Sequence, residues 1–124
     1  MQDIKTMSPS TLAFMGDAVY GLLVREKLCH VNRPSGELHS MSVKYVSATA
    51  QDEAFSVISE LLSEDEMAVF KRGRNFHTSN TPKSSSAKQY HTATGLETLF
   101  GYLYLSGKTE RLNELFEVIW TSEK

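Results

Sequence analysis

Between Leu12 and Val24 the chain reads Leu-Ala-Phe-Met-Gly-Asp-Ala-Val-Tyr-Gly-Leu-Leu-Val, and Asp17 is the only charge in that run. Desolvating a carboxylate on an otherwise apolar helix costs several kcal/mol unless a cationic partner, a metal or a proton meets it. A second run, Gly95 to Leu105, repeats the pattern with Glu97 as its one charge. Each acid is followed four residues later by a glycine, Gly21 and Gly101. Residues four apart share a helix face, so each acid is expected one turn from a bare position that another backbone or a ligand can approach. The simplest use of two such acids is to bring them together around a divalent cation. The ordinary alternative is a buried acid paired to a helix N-terminus or to a distant arginine.

At 124 residues the chain is expected to be one domain, 1–124, large enough for a real core but not for two. Neither apolar run reaches the roughly 20 residues that span a bilayer, and Met1 to Thr6 is too short and polar for a signal peptide. The lone Cys29 cannot form an internal disulfide, so it reads as a packing residue in a reducing, cytoplasmic protein. A net charge of -2 argues against a generally basic nucleic-acid binder, but the average conceals an asymmetry. From Lys71 to His91 there are five basic residues, Lys71, Arg72, Arg74, Lys83 and Lys88, and no acid. Set against -2, those five cations leave -7 on the rest of the chain. A basic segment on an acidic body is the footprint of a polyanion partner, although a charge run can also be just a solvated loop.

The expected fold class is all-α, six or seven helices with two central apolar ones. Ser8-Pro9 reads as a cap followed by a first-turn proline, and Leu12, Met15, Gly16, Val19, Leu22 and Leu23 then form one helical stripe. A helix over Glu37 to Val46 is followed by one capped by Ser47, with Ala48, Ala54, Phe55, Ile58, Leu61 and Leu62 inward. Ser63-Glu64-Asp65-Glu66 is a capping box, and the helix it opens is expected to end at Lys71-Arg72-Gly73. Arg74 to Ser86 reads as a long loop, of a length that is usually functional or disordered. A helix from about Ala87 stops at Ser106-Gly107, and Thr109 is expected to cap the last one. Tyr20, Tyr102 and Tyr104 read as core or interface packing, and His77 and His91 as surface or loop residues.

Leu12-Ala13-Phe14-Met15-Gly16-Asp17-Ala18-Val19 resembles the signature helix of ribonuclease III, in which a Phe-Leu-Gly-Asp-Ala-type sequence carries the catalytic aspartate. Gly95 to Leu105 is similar to that family's second acidic helix, whose Glu completes the metal site. Tyr45-Val46-Ser47-Ala48, Gln51, Lys71-Arg72-Gly73-Arg74-Asn75 and Thr81-Pro82-Lys83 resemble the Mini-ribonuclease III branch, which lacks a double-stranded-RNA-binding domain. Where the full-length family has an aspartate three residues before the glutamate, this chain has Thr94.

The resemblance implies a ribonuclease III-like catalytic domain in which Asp17 and Glu97 are the catalytic, metal-binding pair. Mg²⁺, with Mn²⁺ as a substitute, tolerates so few protein ligands because it keeps several waters and often binds through one or two carboxylates plus substrate phosphate. Lys71, Arg72, Arg74, Asn75, Lys83 and Lys88 become candidate contacts to double-stranded RNA, whose A-form duplex is recognised mainly by backbone and shape. The resemblance also implies a homodimer with one site per strand, precursor 23S ribosomal RNA as substrate, and a ribosomal protein as a candidate helper. The alternative is a non-catalytic RNA- or ribosome-binding scaffold of the same fold.

Overall fold

Serine caps at Ser8, Ser47 and Ser63 start their helices where the sequence expects them, and Ser86, read as the end of a loop, caps a fourth. A computed structural model describes residues 3–76 and 86–122. Within these, six α-helices follow one another: α1 Pro9–Leu28, α2 Ser35–Val46, α3 Ala48–Ile58, α4 Glu64–Arg74, α5 Ala87–Leu105 and α6 Thr109–Ser122. Three short 3-10 turns, Ile4–Thr6, Cys29–Val31 and Ser59–Leu61, join them, and no strand occurs among the described residues. The fold is all-α. Ser8, Ser47, Ser63 and Ser86 each accept a hydrogen bond from the backbone N–H three residues on, at 3.1–3.2 Å. Each cap satisfies an amide that the first helical turn leaves without a partner.

Leu61, read as inward, is 50% exposed, because α3 ends at Ile58 and a 3-10 turn follows. Three other boundaries differ from expectation. Pro34 lets α2 begin at Ser35 rather than Glu37. Thr109 lies inside α6, whose first backbone bond runs from the Leu112 N–H to the Lys108 carbonyl. The third is α4, which does not stop at Gly73 but continues through Arg74 to an Asn75 cap with ordinary right-handed φ. Gly73 is there for clearance: a Cβ on it would lie 2.2 Å from Thr98 Oγ1 and 3.0 Å from Gly95 Cα, so it lets α4 close on α5.

The helices α1 and α5 form the centre, with α3 and α4 against α5, α2 against α1, and α6 against α3 and α5. Leu12, Val19, Tyr20, Val24, Leu96, Leu99, Phe100 and Leu103 from the central pair meet Ile58, Leu115 and Phe116 in the core. The Tyr20 ring lies 5.2 Å from Phe100 and 5.6 Å from Phe116, and Phe55 stacks on Phe70 at 3.7 Å. Tyr20 and Tyr102 are buried as expected, whereas Tyr104 and Cys29 are exposed. Leu22, placed on the inward stripe from spacing, faces outward at 54% exposure, because the face of α1 that carries it is left uncovered. No helix among the described residues is long and apolar enough to cross a membrane.

One ion pair ties α4 to α6. Arg111 donates from Nε to Glu66 Oε2 at 2.8 Å and from Nη2 to Oε1 at 2.9 Å, and Nη2 also reaches the Leu61 carbonyl at 2.7 Å. Glu66 is the acid of the capping box, accepting from the Ser63 N–H at 2.9 Å. The Arg111 hydrogen bonds hold its carboxyl below the usual carboxylate range, against the opposing effect of burial. A lowered folded-state pKa means stability that is present above about pH 4.5 and is lost as pH falls through the lower folded value. Arg111→Ala leaves that carboxylate buried without its cation and is expected to cost about 2–4 kcal/mol at pH 7. Urea titrations at pH 7 and pH 4 check this, since the deficit should shrink at the lower pH.

Candidate active site

The crossing of α1 and α5 has no side chains at its closest point. A Cβ on Gly16 would lie 1.7 Å from the Glu97 carbonyl oxygen, and one on Gly101 would lie 2.0 Å from the Leu12 carbonyl oxygen. Backbone therefore touches backbone, and Asp17, next to Gly16, is carried to Glu97, one turn before Gly101. The sequence pointed to Gly21 and Gly101 as the bare positions. Gly101 is one of them, but Gly21 meets nothing within 4 Å, and Gly16 is the second member of the contact.

The two acids do meet. Both side chains line the same groove, and the Asp17 carboxylate is near enough to Glu97 to act on its protonation. Both acids are expected to be desolvated; Glu97 is partly buried, whereas for Asp17 the expectation is corrected, since its side chain is exposed. The reason is the uncovered face of α1, on which Phe14, Asp17, Ala18, Leu22 and Arg25 all reach the surface. Burial pushes the Glu97 carboxyl up to about 7; the Gln51 amide pulls it down, and the neighbouring Asp17 carboxylate adds to the rise. Gln51 Nε2 donates to Glu97 Oε2 at 3.1 Å and to the Val46 carbonyl at 3.0 Å.

A groove of about 360 Å³ opens over the pair, lined by Ser10, Ala13, Phe14, Asp17, Phe76, Tyr90, Thr94 and Glu97. A second groove of about 390 Å³ also takes in Asp17, with Arg25, His39, Ser42 and Val43 of the α1/α2 side. Among the described residues no cluster of three or more His, Cys, Asp or Glu side chains is set to hold a metal. Two adjoining carboxylates at the edge of an open groove suit a hard cation that keeps most of its water or completes its shell with substrate oxygens. Mg²⁺ and Mn²⁺ fit that description.

The basic residues divide into groups. Arg74, Asn75 and Lys88 line one groove with His91, where the end of α4 meets the start of α5. The Arg74 guanidinium lies over the Phe70 ring at 5.8 Å, and its Nε donates to Asn75 Oδ1 at 3.2 Å. Lys71 is exposed on α4. Arg72 is turned the other way, donating from Nη1 to the Lys5 carbonyl at 3.1 Å and from Nη2 to the Met7 carbonyl at 2.9 Å. Lys83 and His77 lie outside the described residues.

Sequence reasoning did not single out Phe76, Tyr90 or Gln51 as site residues. For Gln51 a signal existed: it falls at helical spacing from Ala54, Phe55 and Ile58, a polar residue on an inward stripe. Phe76 lies within the segment read as a loop and Tyr90 in the first turn of the helix after it, and nothing local tells which groove they line.

Residues 10–108 match the model of the ribonuclease III domain. A Mini-ribonuclease 3 of Thermoanaerobacter sp. (strain X514) is 46% identical over 94% of this chain and 83% of its own length. The Mini-ribonuclease 3 of Clostridium tetani is 40% identical over 95% of this chain and 80% of its own. The crystal structure of protein FN1578 from Fusobacterium nucleatum superposes with a TM-score of 0.89 at 28% identity, each chain covered in full.

Proposed function

Since the chain belongs to the ribonuclease III family, in its Mini-ribonuclease 3 branch, we propose that it is a Mg²⁺-dependent endoribonuclease that cuts double-stranded RNA, with Asp17 and Glu97 as the catalytic acids. The observation that carries this reading is the convergence of two acids, 80 residues apart in sequence, at one backbone crossing over an open groove. A divalent cation bound there would supply Lewis-acid activation of water and stabilise charge on the departing oxygen. Glu97, anchored through Oε2 by Gln51, presents a fixed ligand, and the exposed Asp17 presents an adaptable one. Arg74, Asn75, Lys88, Lys71 and Lys83 supply phosphate contacts; Arg72, with two nitrogens committed to backbone carbonyls, contributes a weaker one.

One site cuts one strand, so cutting a duplex calls for two copies. The exposed apolar side chains Phe14, Leu22 and Val43 on the α1/α2 side favour a homodimer through that face. The family resemblance supports precursor 23S ribosomal RNA as the substrate, in the cytoplasm, with a ribosomal protein as a helper.

The test is incubation of the wild type with a long RNA duplex, and with each of its strands alone, in Mg²⁺ or in EDTA. Cleavage confined to duplex with Mg²⁺ is expected. Absence of cleavage, with salt-dependent duplex binding retained, would instead establish the scaffold. If Lys71, Arg74, Lys83 and Lys88 of each protomer meet phosphates, the logarithmic dependence of binding on salt should have a slope of about -3 to -4 per protomer, measured by titration in EDTA.

A further inference from the structure

We propose that Gln51 is a positioning residue for the acidic pair, fixing the Glu97 carboxylate for the cation; this rests on the reading of Asp17 and Glu97 as that cation's ligands. Gln51 is 2% exposed and sits on the inward stripe of α3, where leucine or methionine would pack as well. Its Nε2 faces two acceptors, the Val46 carbonyl and Glu97 Oε2, and this sets the orientation of the amide. The reverse orientation would turn Oε1 onto the Val46 carbonyl oxygen and, with Glu97 ionised, onto a carboxylate oxygen, acceptors that have no hydrogen to share with it.

That orientation leaves Oε1 buried without a hydrogen-bond partner among the described residues. An unsatisfied buried acceptor carries a desolvation penalty, so on stability grounds an apolar residue would serve better here. What the amide does that no apolar residue can is hold one oxygen of a carboxylate from behind. Glu97 Oε2 is thus tied to α3 and, through the same nitrogen, to the last carbonyl of α2. Of the residues whose contacts with Glu97 have been described, Gln51 alone donates from a buried side chain.

Donors behind a metal-binding carboxylate orient it, and their loss typically weakens metal binding about 10- to 100-fold. The experiment is calorimetric titration of Mn²⁺ into the full chain without RNA. Wild type, Gln51→Met, Glu97→Gln and the double variant are compared, with Ile58→Val as a control for loosened packing on the same helix.

Gln51→Met is expected to weaken Mn²⁺ binding about 10- to 100-fold, whereas Ile58→Val leaves it within twofold of wild type. In the Glu97→Gln background, Gln51→Met should have no further effect. In cleavage assays the Mg²⁺ requirement of Gln51→Met should rise by the same factor, and saturating Mg²⁺ should restore kcat. Should the methionine variant not fold, Gln51→Asn, which keeps the amide but shortens it, is expected to show the same loss.

Wild-type affinity in Gln51→Met, or in Gln51→Asn where that variant is used, would overturn the proposal, as would equal losses in Ile58→Val. If wild type itself binds no Mn²⁺, the cation reading of Asp17 and Glu97 fails and this inference fails with it. If wild type binds and the Gln51 variant binds equally, only the role of Gln51 is lost.

Discussion

Asp17→Asn and Glu97→Gln are each expected to lower duplex cleavage by about three orders of magnitude or more, the equivalent of the several kcal/mol that a cation-centred site supplies. In metal-free buffer above pH 7, both variants should nonetheless be more stable than the wild type. The sign follows from Glu97, whose carboxyl is pushed up to about 7 by burial and by the Asp17 carboxylate beside it. A carboxyl with a raised folded-state pKa contributes its full stability below the unfolded value near 4.5. That contribution is lost as pH rises through the folded value, so ionised Glu97 opposes folding at pH 8.

Replacing Glu97 by glutamine removes the cost, and replacing Asp17 by asparagine reduces it. The gain for Glu97→Gln is expected to be about 1–3 kcal/mol at pH 8 and to vanish toward pH 4.5. Thermal unfolding at both pH values in EDTA measures it, and single-turnover cleavage measures the chemistry. Unchanged stability at pH 8 would mean that neither burial nor Asp17 opposes ionised Glu97, and cleavage within tenfold of wild type would remove the acids from the reaction. Added Mg²⁺ should raise the wild-type Tm and leave the Glu97→Gln value nearly unchanged, because only a folded state that binds the cation is stabilised by it.

The second large effect belongs to Gly16→Ala. The added methyl would lie 1.7 Å from the Glu97 carbonyl oxygen and 2.9 Å from the Gly101 amide nitrogen, so no rotamer change relieves it. The helices α1 and α5 must separate. Overpacking ordinarily costs about 1–3 kcal/mol, and a methyl against backbone on both sides belongs beyond that range. Cleavage by the fraction that folds should fall as well, because separation of the two helices carries Asp17 away from Glu97. Gly21→Ala is the counterpart: nothing lies within 4 Å, so it should be neutral or stabilise the helix by up to about 1 kcal/mol relative to glycine. Chemical denaturation of both variants checks the pair, and a mild Gly16→Ala would show that the crossing is looser than its geometry.

These two glycines also show what a sequence can and cannot disclose. The caps at Ser8, Ser47 and Ser63 are legible because a cap is written in four consecutive residues, and Ser63 with Glu66 forms the expected box. The lone acids were legible because an isolated charge in an apolar run stands out under any register. Which glycine makes the close approach depends on the direction of the neighbouring helix. Counting four residues from Asp17 finds a glycine on the open face of α1, whereas Gly16, on the stripe with Leu12 and Val19, is the one that faces α5.

The burial of Asp17 was misjudged for a related reason. Apolar residues on several sides of a helix suggest a central position, and here one side of α1 is left bare, with Phe14 82% exposed. Arg72 was legible as a cation but not as one anchored to the Lys5 and Met7 carbonyls, since a bond across 65 or more residues leaves no local trace.

Because main chain meets main chain where α1 and α5 cross, the separation of the two acids is set by peptide geometry and not by how the surrounding side chains interlock. Substitutions such as Val19→Ile or Leu99→Met can therefore alter how firmly the molecule holds together without retuning the gap across which the acids face each other. A lineage built on this scaffold is free to renew almost its whole interior while its chemistry stays in register, provided the two bare positions remain bare.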